Sequence, residues 1–384
     1  MDHLLQASLT ALLIFAASLV SAETALAVAI IEIAAGIVAG NVLGLHGVPW
    51  LDFLAQFGGI VLTFLAGTEI DQGLLRSKLK ESVLIGSSSF LLPFLAAAAA
   101  AYYIAHWSAS AALIAGIALS TTSLAVVYSV LVETGLNDTG VGKLLMAATF
   151  VTDMGTAVAL SVLFAKPSAA TGAFFAVSAI VIVLAPRLLP PVFQRYGRRV
   201  IEPEIKLLFF LLFGLMFLAQ IGQSHAVLPV FVLGLVLAPM FREHAELRRK
   251  LRVVSFAMIT PFFFIRGGMN VSVAALHSQI GVLALLLSVK LAAKGIGVLP
   301  LARRHVPGAA VYTTLLMSTG LTFGTISATY GLEHGHIDRA QFSVLVSVVI
   351  LSAVVPTFIA QRWFTPRLSP EQQEEYLSRA EESL

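Results

Sequence analysis

Thirteen apolar runs follow one another along this chain of 384 residues, separated only by short breaks rich in charge, glycine or proline. They cover 4–21, 25–43, 52–70, 82–104, 109–132, 141–165, 168–187, 205–222, 226–241, 254–276, 279–301, 309–331 and 340–361. A helix of about 20 apolar residues spans the hydrocarbon core of a bilayer. The pattern therefore predicts an all-α polytopic membrane protein with about 13 transmembrane helices. Charged residues make up 12% of the chain and hydrophobic ones 58%, whereas soluble domains carry about a quarter charged residues. A soluble globule and a disordered chain are both excluded. The runs are continuous and Leu/Ala-rich with no ten-residue alternation, which excludes a β-barrel. With no cysteine, thiolate metal sites and disulfides are excluded as well.

The first run ends in Val20-Ser21-Ala22, like a signal cleavage site, but Asp2 and the lack of Lys or Arg before it predict a retained helix. Basic residues in short loops mark the inner side. With the N-terminus outside, 19 of the 24 Lys and Arg fall on the inner side, from Arg76 through Arg304 and on to Arg379. Two, Lys166 and Arg339, fall outside. This predicts an outer N-terminus and a cytoplasmic C-terminus. The acidic stretch 367–384 is expected to be a short solvated tail.

Three basic residues remain, and all lie inside apolar runs: Arg266, Lys290 and Lys294. Glu32 and Asp153 are also deep in runs, with Glu69 near the inner end of the third. Asp153 stands ten residues from Lys143 and thirteen from Lys166, about 15–20 Å from either surface at 1.5 Å per residue. Lys290 is equally deep. A charge at the bilayer centre costs about 3 kcal/mol or more, so it persists where it is paired or functional. Lys294, one turn nearer the cytoplasm, is expected either to join Lys290 as a charge partner or to snorkel inward. Arg266 stays charged at all relevant pH and is expected in a structural ion pair with Glu32 or Glu69.

Two runs carry polar clusters at mid-depth: Ser120-Thr121-Thr122-Ser123 in the fifth, and Ser318-Thr319-Gly320 with Thr322 in the twelfth. Small residues of this kind also pack helices together. The runs are seven apart and so run in opposite directions, with Asp153 following one and Lys290 preceding the other. The layout predicts an inverted repeat with two broken helices crossing at the midplane, as secondary transporters use to build an ion site.

These residues resemble a known family. "FLAGTEID" (64–71), "ALSTTSLAVV" (118–127), "FVTDMG" (150–155), "PFFFIRGGM" (261–269) and "SVKLAA" (288–293) occur in the order and spacing of the second large family of monovalent cation/proton antiporters. That family includes the glutathione-gated potassium-efflux transporters and related sodium/proton exchangers. The resemblance covers nearly all of 25–361. It implies the sodium/proton antiporter fold as a homodimer, with core helices at about 82–165 and 279–361 and dimerisation or scaffold helices at about 1–51 and 168–250, within a transmembrane domain over 1–366. It implies that Asp153 carries Na⁺ or K⁺ and the proton in turn, with Lys290 as its partner. Thr152 stands where electrogenic members have a second aspartate and others have asparagine or glutamine. Arg266 stands where the family has a small residue, and Thr121 and Leu124 replace a common serine–proline pair.

The expected activity is exchange of a monovalent cation for protons by alternating access. Hydroxyls of Thr152, Ser120, Thr121 and Thr122 replace water around a hard cation. No cofactor is expected beyond the transported ions, and no nucleic-acid partner; the partners are cation, proton, lipid and a second copy. A sodium-coupled organic-anion symporter of similar inverted-repeat fold is the alternative, and a channel a more distant one. No enzyme motif occurs: Gly-x-Gly-Asp and His-Glu-x-x-His are both missing, and His334 and His336 belong to an outer loop.

Overall fold

The computed structural model describes residues 3–24, 27–68, 79–136, 139–164, 168–196, 201–222 and 224–366. Glu69 and the tail 367–384 lie outside the described residues. Among those described, all regular structure is helical. Among the described residues ten helices are long and apolar enough to cross a membrane, and two shorter apolar ones, Val28–Asn41 and Ala109–Ser120, accompany them. The expected all-helical polytopic architecture is what is found. The ten fall short of the thirteen runs because the second, fifth and ninth runs give helices of only 14, 12 and 17 residues.

In chain order the helices are α1 (His3–Thr24), α2 (Val28–Asn41), α3 (Pro49–Thr68), α4 (Leu79–Ala99), α5 (Ala109–Ser120), α6 (Leu124–Glu133), α7 (Gly140–Leu163), α8 (Ala169–Tyr196) and α9 (Pro203–Ile221). They continue as α10 (Val227–Glu243), α11 (Ala245–Val254), α12 (Thr260–Asn270), α13 (Val273–Ser278), α14 (Ile280–His305), α15 (Ala310–Met317), α16 (Thr322–Glu333) and α17 (Arg339–Trp363). One π-helical turn, Ala100–Ile104, follows α4, and another, Ser255–Ile259, joins α11 to α12 just before Pro261. Proline has no N–H to continue the ladder, which is a common cause of such a turn.

The chain divides into two compact units: Met1–Asp71, Ala157–Gln279 and Leu332–Ser343 form one, and Gln72–Thr156, Ile280–Gly331 and Val344–Leu384 the other. In the first unit, glycines let helix backbones touch. Gly36 and Gly40 on α2 face α12, where a Cβ on Gly36 would sit 2.2 Å from the Ile265 carbonyl oxygen. Gly268 on α12 returns the contact, its Cβ falling 2.1 Å from the Ile33 carbonyl oxygen. Gly67 on α3 and Gly234 on α10 meet in the same reciprocal way. Lipid offers no hydrophobic drive for association, so close van der Waals packing of small residues takes its place. Because the obstacle is backbone on both sides, Gly268→Ala is expected to cost about 3 kcal/mol or more, the upper end for overpacking. A thermal unfolding scan in detergent checks this; an unchanged midpoint would contradict the close contact.

The second unit is built around α4, which packs on both α5 and α14. Gly116 on α5 lies against the Phe94 carbonyl of α4, and Gly297 on α14 lies against Ser88. Gly86 brings α4 onto Ala148 and Val151 of α7. Together these contacts bring α5, α7 and α14 around one central helix.

Candidate ion-exchange site

The fifth apolar run is two half-helices. α5 stops at Ser120, Thr121 turns extended with ψ 157°, and α6 begins at Leu124. No proline or glycine forces the break. Instead the Ser120 and Thr121 hydroxyls donate to the carbonyls of Ile117 and Ala118 at 2.9 and 3.2 Å. Such local side-chain bonds compete with the helical ladder. The twelfth run breaks likewise, α15 ending at Met317 and α16 beginning at Thr322.

The two breaks cross. The Ser123 amide donates to the Thr319 carbonyl at 3.2 Å, and the Thr122 hydroxyl donates to the Met317 carbonyl at 2.9 Å. Gly320 permits the approach: a Cβ there would lie 2.6 Å from the Thr121 hydroxyl oxygen and 2.7 Å from Lys290 Nζ. Ser120, Thr121, Thr122, Ser318 and Thr319 are all buried at this crossing, while Thr322 is half-buried. The Ser318 and Thr319 hydroxyls donate to the Thr314 and Leu316 carbonyls, each within its own helix turn.

Both lysines of α14 reach the crossing. They are four residues apart, hence on one face of the helix, and both are fully buried. Lys294 does not snorkel. Its ammonium donates to the Ser89 hydroxyl at 2.8 Å, the Ser120 carbonyl at 2.8 Å and the Thr122 hydroxyl at 3.0 Å. Three bonds use all three donors of an ammonium. One of the acceptors is the last carbonyl of α5, where the helix dipole concentrates negative charge. Of the two alternatives for Lys294, snorkelling to water is not taken, since the polar atoms at the break are within reach of its ammonium. Lys290 lies beside Gly320 and donates to the Ser352 hydroxyl of α17 at 2.8 Å.

Asp153 is buried on α7, and its carboxylate and the Lys290 ammonium both act electrostatically on Lys294. Thr152, also buried, donates to the Thr149 carbonyl at 2.7 Å, and Thr149 donates to the Met317 sulfur at 3.6 Å. One carboxylate and two amines thus share a buried site with hydroxyls and the ends of two half-helices. Ser89 and Ser352 were not picked out from the sequence; the signal was a polar residue inside an apolar run, as in Ser87-Ser88-Ser89.

Arg266 belongs to a different place. It pairs with Asp52 at 2.5 Å and also bonds Asn270, with its guanidinium laid over Gly47. Among the described residues no ion pair joins it to Glu32, which is buried on α2. Of the two expected partners, Glu32 gives way to Asp52, while Glu69 lies outside the described residues. The run 254–276 held Arg266 inside an expected span, but α12 ends at Asn270, so Arg266 stands one turn from a helix end. There it meets the first turn of α3.

Set against known proteins, residues 8–365 match the sequence pattern of the sodium/hydrogen exchanger transmembrane family. The chain belongs to the sodium/hydrogen exchanger family. It is 24% identical over 349 residues to "Probable Na(+)/H(+) antiporter 3" of Methanocaldococcus jannaschii, covering 86% of this chain and 89% of that protein. It is 25% identical over 356 residues to "Cation/H(+) antiporter 18" of Arabidopsis thaliana, 86% of this chain but only 44% of that relative's length. The solved structure of the sodium proton antiporter MjNhaP1 from Methanocaldococcus jannaschii matches with a TM-score of 0.73 at 16% identity, over 94% of this chain and 98% of that one. That likeness shows the sodium/proton antiporter fold, and the family match makes the chain a multi-pass integral membrane protein of a transporter family.

Proposed function

We propose that this exchanger-family chain moves Na⁺ or K⁺ in one direction and protons in the other by alternating access, with Asp153 as the shared carrier. The observation that carries this is the buried carboxylate within electrostatic reach of buried Lys294, itself coupled to buried Lys290, at the crossing of two broken helices. The site already holds more potential positive than negative charge in a low-dielectric setting. A second positive charge enters such a place at low cost only when a proton leaves it. Proton and cation therefore alternate on the same carboxylate. Either pairing is worth about 4 kcal/mol at about 4 Å and an effective dielectric of about 20, so neither is permanent.

In this reading Thr152, Ser120, Thr121 and Thr122 offer oxygen lone pairs to the cation, while their own protons are held by backbone carbonyls. Lys290 is the mobile charge partner, and Lys294 holds the crossing in place. Ser318, Thr319 and Thr322 line the opposing break. The core helices move against the scaffold helices, the N-terminus lies outside, and the protein works as a homodimer in a bacterial inner or plasma membrane, with no cofactor. Exposed Leu4, Leu12, Phe15 and Leu19 give α1 the apolar surface that lipid or a second copy requires.

Reconstitution in liposomes with a trapped pH dye tests the function. Adding Na⁺, K⁺ or Li⁺ outside is expected to alkalinise the lumen, because cation moving in is exchanged for protons moving out. Repeating it with the membrane potential clamped gives the stoichiometry. Organic-anion uptake without proton movement would overturn the exchange reading in favour of a symporter.

A further inference from the structure

The turns after α9 and α16 bring three histidines into ring contact, away from the crossing. His225 meets His334 nearly edge-on with ring centroids 5.0 Å apart, and His334 stacks on His336 at 6.5 Å. His336 in turn lies 4.6 Å from the ring of Phe164, just past the end of α7. Between the two stacked histidines Gly335 takes φ +69°, a left-handed turn that other residues rarely adopt. At the start of the same segment Glu333 bonds Gln56 and lies within electrostatic reach of Arg266 and Asp52. The segment is thus held at one end by an ionic cluster and at the other by a stack of rings.

Among the described residues, the titratable groups acting on one another at this stack are His225 from one turn and His334 and His336 from the other, with Glu333 at the segment's start facing Asp52 and Arg266. Burial first, then His334 and His336, push His225 down from 6.5 to about 3. The sign follows. An opened His225 takes its proton near 6.5, and a stacked one only near 3. The stack is at full strength above about pH 6.5 and loses stability progressively as pH falls toward 3.

We propose that the His225–His334–His336 stack is an acid-released clasp on the segment that continues the crossing helix α16, and that it makes exchange sensitive to pH on that face of the membrane. The proposal rests on the reading of that crossing as the transport site. Neutral rings stack; protonated ones repel at these separations. Release of the segment frees the end of the helix that carries one half of the crossing.

The test uses the full chain in nanodiscs with ¹³C-labelled histidine, and in oriented proteoliposomes. By NMR, one histidine is expected to stay neutral well below pH 5, and His334→Gln is expected to move that resonance toward ordinary titration. In liposomes with the opposite face held at constant pH, His225→Asn and His334→Gln are expected to shift the half-activity pH on the clasp face by at least half a unit. Their rates at pH 8 should stay within twofold of the parent. Three histidines titrating independently near 6.5, or an unshifted profile in both variants, would overturn the clasp. Failure of the underlying reading shows differently, as exchange that survives Asp153→Asn.

Discussion

Asp153→Asn is expected to abolish cation-driven proton movement, with a fall of at least a hundredfold in initial rate. The substitution keeps the shape of the side chain and removes only its ability to bind a proton or balance a cation. An interaction of about 4 kcal/mol at the carboxylate corresponds to about three orders of magnitude in occupancy. Asp153 lies 2% exposed within a packed helix, and the neutral isostere leaves the buried lysines without their counter-charge, so some loss of melting temperature is expected and the fold is read separately from the rate. The dye assay in proteoliposomes reads the rate and a thermal scan reads the fold. Undiminished exchange by a well-folded Asn variant would remove Asp153 from the carrier role.

The two lysines of α14 should separate under substitution. Lys294→Met strips three acceptors, among them the terminal carbonyl of α5, and a buried acceptor left unsatisfied costs about 1–3 kcal/mol. A stability loss of about 3 kcal/mol is expected, with faster hydrogen exchange around 118–124 and 317–322. Lys290→Met gives up one bond, to Ser352, and relieves the burial of an ammonium beside another. Its stability should change by less than about 1 kcal/mol, while the apparent affinity for the cation and the pH profile of exchange both move. If the stability losses came out equal, the division of labour between anchor and charge partner would be wrong.

Much of the fold was legible in the sequence, for a physical reason. Lipid permits few arrangements of backbone, so apolar run length alone located the long helices, and small polar residues at mid-run marked the two breaks at 121–123 and 318–321. Asp153 and Lys290 stood out because depth can be counted from flanking charges. What was not legible is where a long side chain ends. Whether Lys294 would join Lys290 or reach for water was left open, because spacing shows a lysine's distance from the surface but not the carbonyl of Ser120 folded against it. Arg266 looked deep because its run continued through Val271–Leu276, where the chain turns out of α12 into the short α13. Its partner Asp52 is 214 residues away in sequence, and no local pattern announces such a pair.

The main-chain bond between Ser123 and Thr319 has a practical consequence for redesign. Because peptide atoms fasten one half-helix pair to the other, the residues at 120, 121 and 318 can be exchanged singly without cutting that tie. A small library at these positions, screened for growth in sodium, potassium or lithium, becomes a search through ion preferences on a fixed chassis. Position 320 is not open to it, since the same crossing leaves no room there for even a methyl group.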